Sequence, residues 1–267
     1  MPYIQRESAK INFEVWGEQG EWVTLVNGHT RPLNDFRMLG NHLVSKGLRC
    51  LALDNRGAGL TEYTGAFAMK DLVADIEALW SHIGIQETHL LGISMGGIIA
   101  QKCAYANPSK INKLVLISTA PSRQYIETDE VPWGSTMESV TLRLAKYFTE
   151  EFAAKNKPVV LGMVKQILKN IERGDFIKQS EDQMNAVKGF DALDLLPGIN
   201  CPSLIIHGEL DEVISLDAAK SIYTNLPQSE IEIVEGVGHL LLAEAPKALY
   251  KLVGDFLTIQ RAITKVD

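Results

Sequence analysis

The sequence has no apolar run approaching the roughly 18 residues needed to cross a bilayer. Its opening, Met1-Pro2-Tyr3-Ile4-Gln5-Arg6-Glu7, has neither the apolar stretch nor the small-residue cleavage site of a secretory signal. A membrane partner is therefore not expected, and a cytoplasmic location is. Clusters of positive charge are missing too. The 26 Lys and Arg are scattered among 33 Asp and Glu for a net charge of −7, which leaves no footprint for nucleic-acid phosphates. The only three cysteines, Cys50, Cys103 and Cys201, lie far apart in apolar surroundings, so they suit buried thiols rather than a zinc knuckle or a redox dithiol. His42, His82, His89 and His207 are not spaced as metal ligands. No glycine-rich loop ends in Gly-Lys-Ser/Thr, and Asp54-Asn55-Arg56-Gly57-Ala58-Gly59 lacks the Gly-x-Gly-x-x-Gly dinucleotide fingerprint. No metal or organic cofactor is expected. Asp54 and Arg56 are expected to pair with local backbone or with each other as turn supports.

What is present is a chain of 267 residues, 46% of them apolar, enough for one sizeable domain or a core with a smaller insertion. Ile11, Phe13 and Val15 alternate with polar neighbours as in a half-buried strand, and Trp22 to Val26 forms a second β run. Phe36, Leu39 and Leu43 then recur at helical spacing, and Leu48 to Leu53 reads as a strand. Met69, Leu72, Val73, Ile76 and Leu79 make a helical stripe, followed by a strand from Thr88 to Gly92, a helix from Met95 to Ala106 and a strand from Leu114 to Ser118. Such alternation predicts a mainly parallel sheet covered by helices on both faces. Residues 122–196 break the rhythm with helical stripes (Val140, Leu144, Tyr147, Phe148, Phe152; Leu161, Val164, Leu168, Ile171) and no convincing strand, so they are read as an inserted helical cap between core segments 1–121 and 197–267. The sheet pattern resumes with Ser203 to His207 and Glu230 to Val234, and the chain's last helical stripe is Leu249, Leu252, Val253, Phe256.

The segment Gly92-Ile93-Ser94-Met95-Gly96-Gly97 falls between a predicted strand and a predicted helix. A serine on so tight a turn needs neighbours without bulk, which Gly92 and Gly96 supply, and the Met95 amide at the helix start can face an oxyanion. An ordinary glycine-rich turn is the bland alternative. A serine hydroxyl needs a base, and His239, in the loop after the strand ending at Val234, is the best candidate. Asp211, just past the strand ending at His207, suits the acid that orients the histidine, with Glu209 and Glu212 as rivals by proximity. Asn27-Gly28-His29-Thr30 follows another strand end. There the His29 amide could serve as second oxyanion donor, while the His29 side chain either touches substrate or bonds within the loop.

Together these motifs, with Gly208-Glu209-Leu210-Asp211 and Gly238-His239 followed by Glu244-Ala245-Pro246, resemble the α/β-hydrolase superfamily, in particular its small capped branch. That branch includes carboxylesterases, enol-lactonases, carbon–carbon-bond hydrolases, proline aminopeptidases and cofactor-free haloperoxidases. The resemblance implies an eight-stranded, mainly parallel sheet with a helical cap, Ser94 as nucleophile, His239 as base, Asp211 as acid, and the Met95 and His29 amides as oxyanion hole. Two points depart from or refine the pattern. Asn27-Gly28 stands where His-Gly is common, and Ser118-Thr119-Ala120 offers no alternative acid before the cap. The expected reaction is acyl transfer from an ester or lactone to water, with Trp133, Met137, Tyr147, Phe148 and Met163 as cap contacts to substrate. A non-catalytic binding protein on the same fold is the competing class.

Overall fold

The structure, a computed structural model, describes residues 2–127 and 133–259. Nine strands, β1 (Tyr3–Arg6), β2 (Ala9–Trp16), β3 (Trp22–Val26), β4 (Arg49–Leu53), β5 (Glu62–Tyr63), β6 (Thr88–Ile93), β7 (Ile111–Ile117), β8 (Ser203–Gly208) and β9 (Ser229–Val234), form one sheet. Eight lie on a continuous path in the order β1-β2-β4-β3-β6-β7-β8-β9, and the two-residue β5 pairs with β2 off that path. All pairings from β4 to β9 are parallel, while β2 is antiparallel to β1, β4 and β5.

Parallel strands need crossover helices, and these cover both faces. On one face α2 (Met69–Ile83), α3 (Met95–Ala106) and α8 (Leu216–Asn225) enclose a core that includes Ile76, Ile99 and Ile222. On the other, α1 (Arg37–Ser45) and α10 (Pro246–Thr258), preceded by the short α9 (Leu241–Glu244), enclose Leu39, Leu43, Leu249 and Val253. The alternation expected for β2 holds through Ile11 and Phe13 but fails at its end: Val15 is exposed, and Trp16 is buried instead. Gly40 of α1 explains the exchange, because a Cβ there would lie 2.2 Å from the Trp16 ring and its absence makes room for the indole.

Between β7 and β8 the chain leaves the sheet for four helices, α4 (Met137–Ala145), α5 (Glu150–Lys155), α6 (Lys157–Glu172) and α7 (Phe176–Val187), all within the expected cap; residues 128–132 of that segment lie outside the described residues. Thr136 and Thr149 cap α4 and α5, each accepting a backbone amide through its hydroxyl. The cap has a core of its own, with Trp133, Val140, Leu144, Val164, Ile167 and Phe176 at its centre.

Strand order matters more for the site than any single strand. β3 connects to β4 on one side and neighbours β6 on the other, so the loops after β3 and β6 diverge and open a crevice at the carboxyl edge of the sheet. Backbones meet closely at its base: a Cβ on Gly96 would lie 2.0 Å from the Val26 carbonyl oxygen, and one on Gly28 would lie 3.2 Å from the Ser94 Cβ. Gly96→Ala should therefore cost about 2–3 kcal/mol or more, because backbone must move. By contrast Gly162→Ala, in the middle of α6 with nothing within 4 Å of its virtual Cβ, should add about 0.5–1 kcal/mol. Urea unfolding of the two variants checks this, and equal effects would contradict the packing described.

Candidate active site

Four strand ends supply the site. β6 ends at Ile93 and the chain turns immediately into α3, leaving Ser94 at φ 54° and ψ −121°. A non-glycine residue rarely occupies that region, at a cost of order 1–3 kcal/mol. Neighbouring bonds hold it there: the Ser94 amide donates to the Ile117 carbonyl of β7 at 2.9 Å, and the Ser94 carbonyl accepts from Gly97 N at 2.9 Å and Thr119 Oγ1 at 2.8 Å. β8 leads to Asp211 and β9 to His239, and the two loops touch where Gly208 would bring a Cβ within 2.2 Å of the Gly238 carbonyl oxygen.

The three side chains form a continuous relay. Ser94 Oγ lies 3.0 Å from His239 Nε2, and His239 Nδ1 lies 2.7 Å from Asp211 Oδ2. A carboxylate only accepts, so Nδ1 carries the imidazole proton and Nε2 presents its lone pair to the serine hydroxyl. The Asp211 side chain is fully buried, and its Oδ1 accepts from the amides of Val213 at 2.8 Å and Ile214 at 2.9 Å. Burial pushes the Asp211 carboxyl up, but the charge and hydrogen bond of His239, with His207 and the Ile214 amide, outweigh it and hold the group below its ordinary value. The rivals are elsewhere: Glu209 is exposed and accepts from the Gly236 amide at 2.9 Å, and Glu212 is exposed.

This geometry coincides with what known proteins share with the chain. The sequence profile of the serine aminopeptidase, S33 family matches residues 17–246. The chain belongs to this family. A non-heme haloperoxidase of Rhodococcus erythropolis is 24% identical over 257 residues, covering 90% of this chain and 93% of that one. Among solved structures, a serine hydrolase from Cycloclasticus zankles superposes with a TM-score of 0.86 at 20% identity over 96% of each chain. The enol-lactonase from Burkholderia xenovorans LB400 gives 0.84 at 23% identity, covering 97% of this chain and all of that one. The fold is thus the capped α/β-hydrolase fold, and Ser94, His239 and Asp211 are the catalytic triad of a serine hydrolase.

In this serine hydrolase two cavities meet at Ser94. The first, of about 370 Å³, lies towards Met95, Ile98, Val187 and Phe190; the second, of about 750 Å³, lies towards His239, Met163 and Ile167. His29, Trp133 and Tyr147 border both. Tyr147 also sets its ring edge-on to that of His239, with centroids 5.4 Å apart. Of the expected cap contacts, Trp133, Tyr147 and Met163 reach the cleft and two do not. Met137 is 44% exposed: as the first residue of α4 it overhangs the packed face that begins at Val140. Phe148 is buried away from the cleft, stacked on Phe152 at 5.3 Å in the seam beside Gly238.

The remaining polar residues brace the loops. Asn27 accepts from Gly28 N at 2.8 Å and donates to the Pro32 carbonyl at 2.8 Å, so the residue that replaces a histidine holds the β3 loop through its amide. His29 does bond, but to the cap: Nε2 lies 2.9 Å from the Ser180 carbonyl, which fixes the proton on that nitrogen. Burial pushes the His29 imidazole down to about 4, against the Ser180 carbonyl and with the help of the Arg143 charge, so it is neutral near pH 7. Asp54 accepts backbone amides of Leu33 and Leu60 as expected, whereas Arg56 ignores it and pairs with buried Asp75 of α2 at 2.7 and 2.9 Å. The Asp54 oxygens are taken by Leu33, Leu60 and Asn12, whereas Asp75 gives one oxygen to each arm of the guanidinium fork.

The sequence assigns no role to three further contributors, although one of them, Glu244, lies in a motif noted above. Gln183 of α7, fully buried, accepts from Thr30 N at 2.7 Å and donates to the Arg56 carbonyl at 2.7 Å. Glu244 accepts from Gly238 N at 3.2 Å through one oxygen and from the Thr149 amide and hydroxyl through the other, tying the catalytic-histidine loop to the cap. Arg143 borders the first cavity. The signal for Gln183 was present in the spacing Phe176, Ser180, Gln183, Val187, a helical face disguised by two polar members.

Asp211→Asn should keep the fold and lower kcat by about three to four orders of magnitude, because the amide would present the wrong tautomer to His239. Glu212→Gln should stay within about twofold of wild type. Circular dichroism with turnover of an activated ester reads both, and the reverse ranking would remove Asp211 from the triad.

Proposed function

We propose that this serine hydrolase cleaves a small carboxylic ester or lactone through an acyl-enzyme. The observation that carries the reading is the unbroken Ser94–His239–Asp211 relay standing where two mostly apolar cavities join, a layout suited to a substrate whose scissile carbonyl divides it into two parts. His239 takes the Ser94 proton as Oγ attacks the carbonyl carbon. The Met95 and His29 amides, neither of which has an intramolecular acceptor among the described residues, receive the developing oxyanion. The Gly28 amide is already held by Asn27, which leaves His29 as the donor of that loop. His239 then returns its proton to the departing alkoxide, so the leaving group belongs in the cavity beside His239 and the acyl group in the one beside Met95. Water, deprotonated by His239, releases the acid and restores Ser94.

An aminopeptidase reaction is disfavoured by charge, since a substrate ammonium needs an anionic seat and the acyl-side cavity is bordered by Arg123, Arg143 and Lys188 against Glu181 alone. A cytoplasmic setting agrees with three unpaired thiols, whose burial raises them to about 12 at Cys50, about 11 at Cys201 and higher still at Cys103.

Ser94→Ala should retain its fold and lose all labelling by a fluorophosphonate, while conservative changes at Trp133, Tyr147 and Met163 should shift kcat/KM ratios among esters and lactones by about tenfold. Peptide mass spectrometry that places the label on another serine would refute the nucleophile. Substrate ratios that stay constant while all rates fall together would refute the cap pocket.

A further inference from the structure

Arg143 stands in the last turn of α4, where a cation suits the helix dipole, but the dipole does not account for its surroundings. Its guanidinium lies 4.3 Å over the Trp133 ring, which fixes its plane, and it borders the same cavity as Ser94 and Met95. Its Nε is buried and has no hydrogen-bond partner. Four other arginines carry ion pairs, Arg6 and Arg56 with Asp75, Arg31 with Asp35 and Arg37 with Glu14, while Arg49 and Arg123 donate to the backbone carbonyls of Gly20 and Ile126. Arg143 reaches no carboxylate among the described residues. The guanidinium also donates to the phenol of Tyr147, whose ring stands edge-on to His239, and its charge helps lower the His29 imidazole, so it lies beside the catalytic centre.

A donor withdrawn from water and left without an acceptor is costly, and the cost is recovered when a ligand supplies the acceptor. The guanidinium edge is a planar fork that matches a carboxylate, and the fixed ring beneath it aims that fork without further loss of side-chain freedom. The rest of the acyl-side cavity adds hydrocarbon walls at Ile98, Val187 and Phe190. Arg123 is occupied with the Ile126 carbonyl, and Lys188 is exposed, so among these cations only half-buried Arg143 offers the cavity a buried donor without an acceptor, its Nε, which fits one negative charge. In a chain of net charge −7 this local reversal of sign discriminates among substrates more than it attracts them from a distance.

We propose that the acyl part of the substrate ends in a carboxylate, as in a monoester or lactone of a dicarboxylic acid, and that Arg143 receives that carboxylate while Ser94 attacks the ester carbonyl. The inference rests on the ester or lactone reading given above and narrows it to anionic acyl groups. Arg143 is then a specificity-determining residue, touching substrate away from the reacting atoms.

The test uses pairs of alkyl fluorophosphonates that differ only in ending in a carboxylate or in its methyl ester, across a series of chain lengths, with the labelling rate at Ser94 as readout. The phosphorus occupies the place of the scissile carbon, Ser94 Oγ displaces fluoride, and the alkyl chain enters the acyl-side cavity. In the wild-type protein the carboxylate probe should label faster than its ester twin by about tenfold or more at its best chain length. Arg143→Gln should reduce that ratio by about ten- to a hundredfold. Arg143→Lys, which keeps the charge but not the fork, should retain part of it, and Lys165→Gln on the exposed face of α6 should leave it unchanged. A wild-type ratio near or below one, or a ratio unmoved in a folded Arg143→Gln or Arg143→Lys protein, overturns the carboxylate assignment while leaving the serine hydrolase intact. Failure of the ester twin itself to label Ser94 overturns the ester-hydrolase reading and the inference with it.

Discussion

Close approach of backbone at the head of β6 is the constraint on which the rest of the site depends. Ser94 can be held at a positive φ only because Gly92 and Gly96 let the first turn of α3 fold back against the strand and against Val26 of β3. That turn does three things at once. It lifts the hydroxyl clear of the sheet towards His239, frees the Met95 amide at the helix start, and brings the β3 loop with His29 to the opposite side of the same point. The energy stored in the turn is repaid by the hydrogen bonds on either side of Ser94 and by the parallel pairing of β3, β6 and β7 around it.

The cap is fastened to this machinery as well as lying over it. Ser180 and Gln183 of α7 hold His29 and Thr30, the Tyr147 carbonyl accepts from the Leu240 amide, and Glu244 joins Thr149 to Gly238. Each contact runs from a cap helix or its end to a loop that carries a catalytic residue or the proposed oxyanion donor His29. The cap and the alignment of the triad are therefore mechanically linked, which gives a physical route by which the proposed carboxylate at Arg143 would influence the reacting centre.

Much of this was legible in the sequence, for identifiable reasons. Ser94 was readable because a nucleophile on a tight turn demands glycines at fixed offsets, and His239 and Asp211 because parallel sheets present their functional loops at strand ends. The parallel core followed from the alternation of short apolar runs with helical stripes. What escaped was polar and long-range. The helix carrying Ser180 and Gln183 buries side chains that periodicity counts as surface, and Arg56 found its partner on α2 where local spacing suggested Asp54. The exchange of Val15 for Trp16 turned on a glycine 24 residues further along, Gly40, and Met137 was misplaced because helical spacing gives a direction but not the end of the packed surface.

The central claim is that Ser94 carries the acyl group between two half-reactions. Rapid chemical quenching during the first turnover of an activated aryl ester, followed by peptide mass spectrometry, observes that species directly, since acylation by such an ester outruns water attack. The account predicts a mass gain equal to the acyl group on the peptide containing Ser94, appearing with the burst of released phenol. A burst accompanied by an acyl group on any other residue, with the Ser94 peptide unmodified, would contradict it.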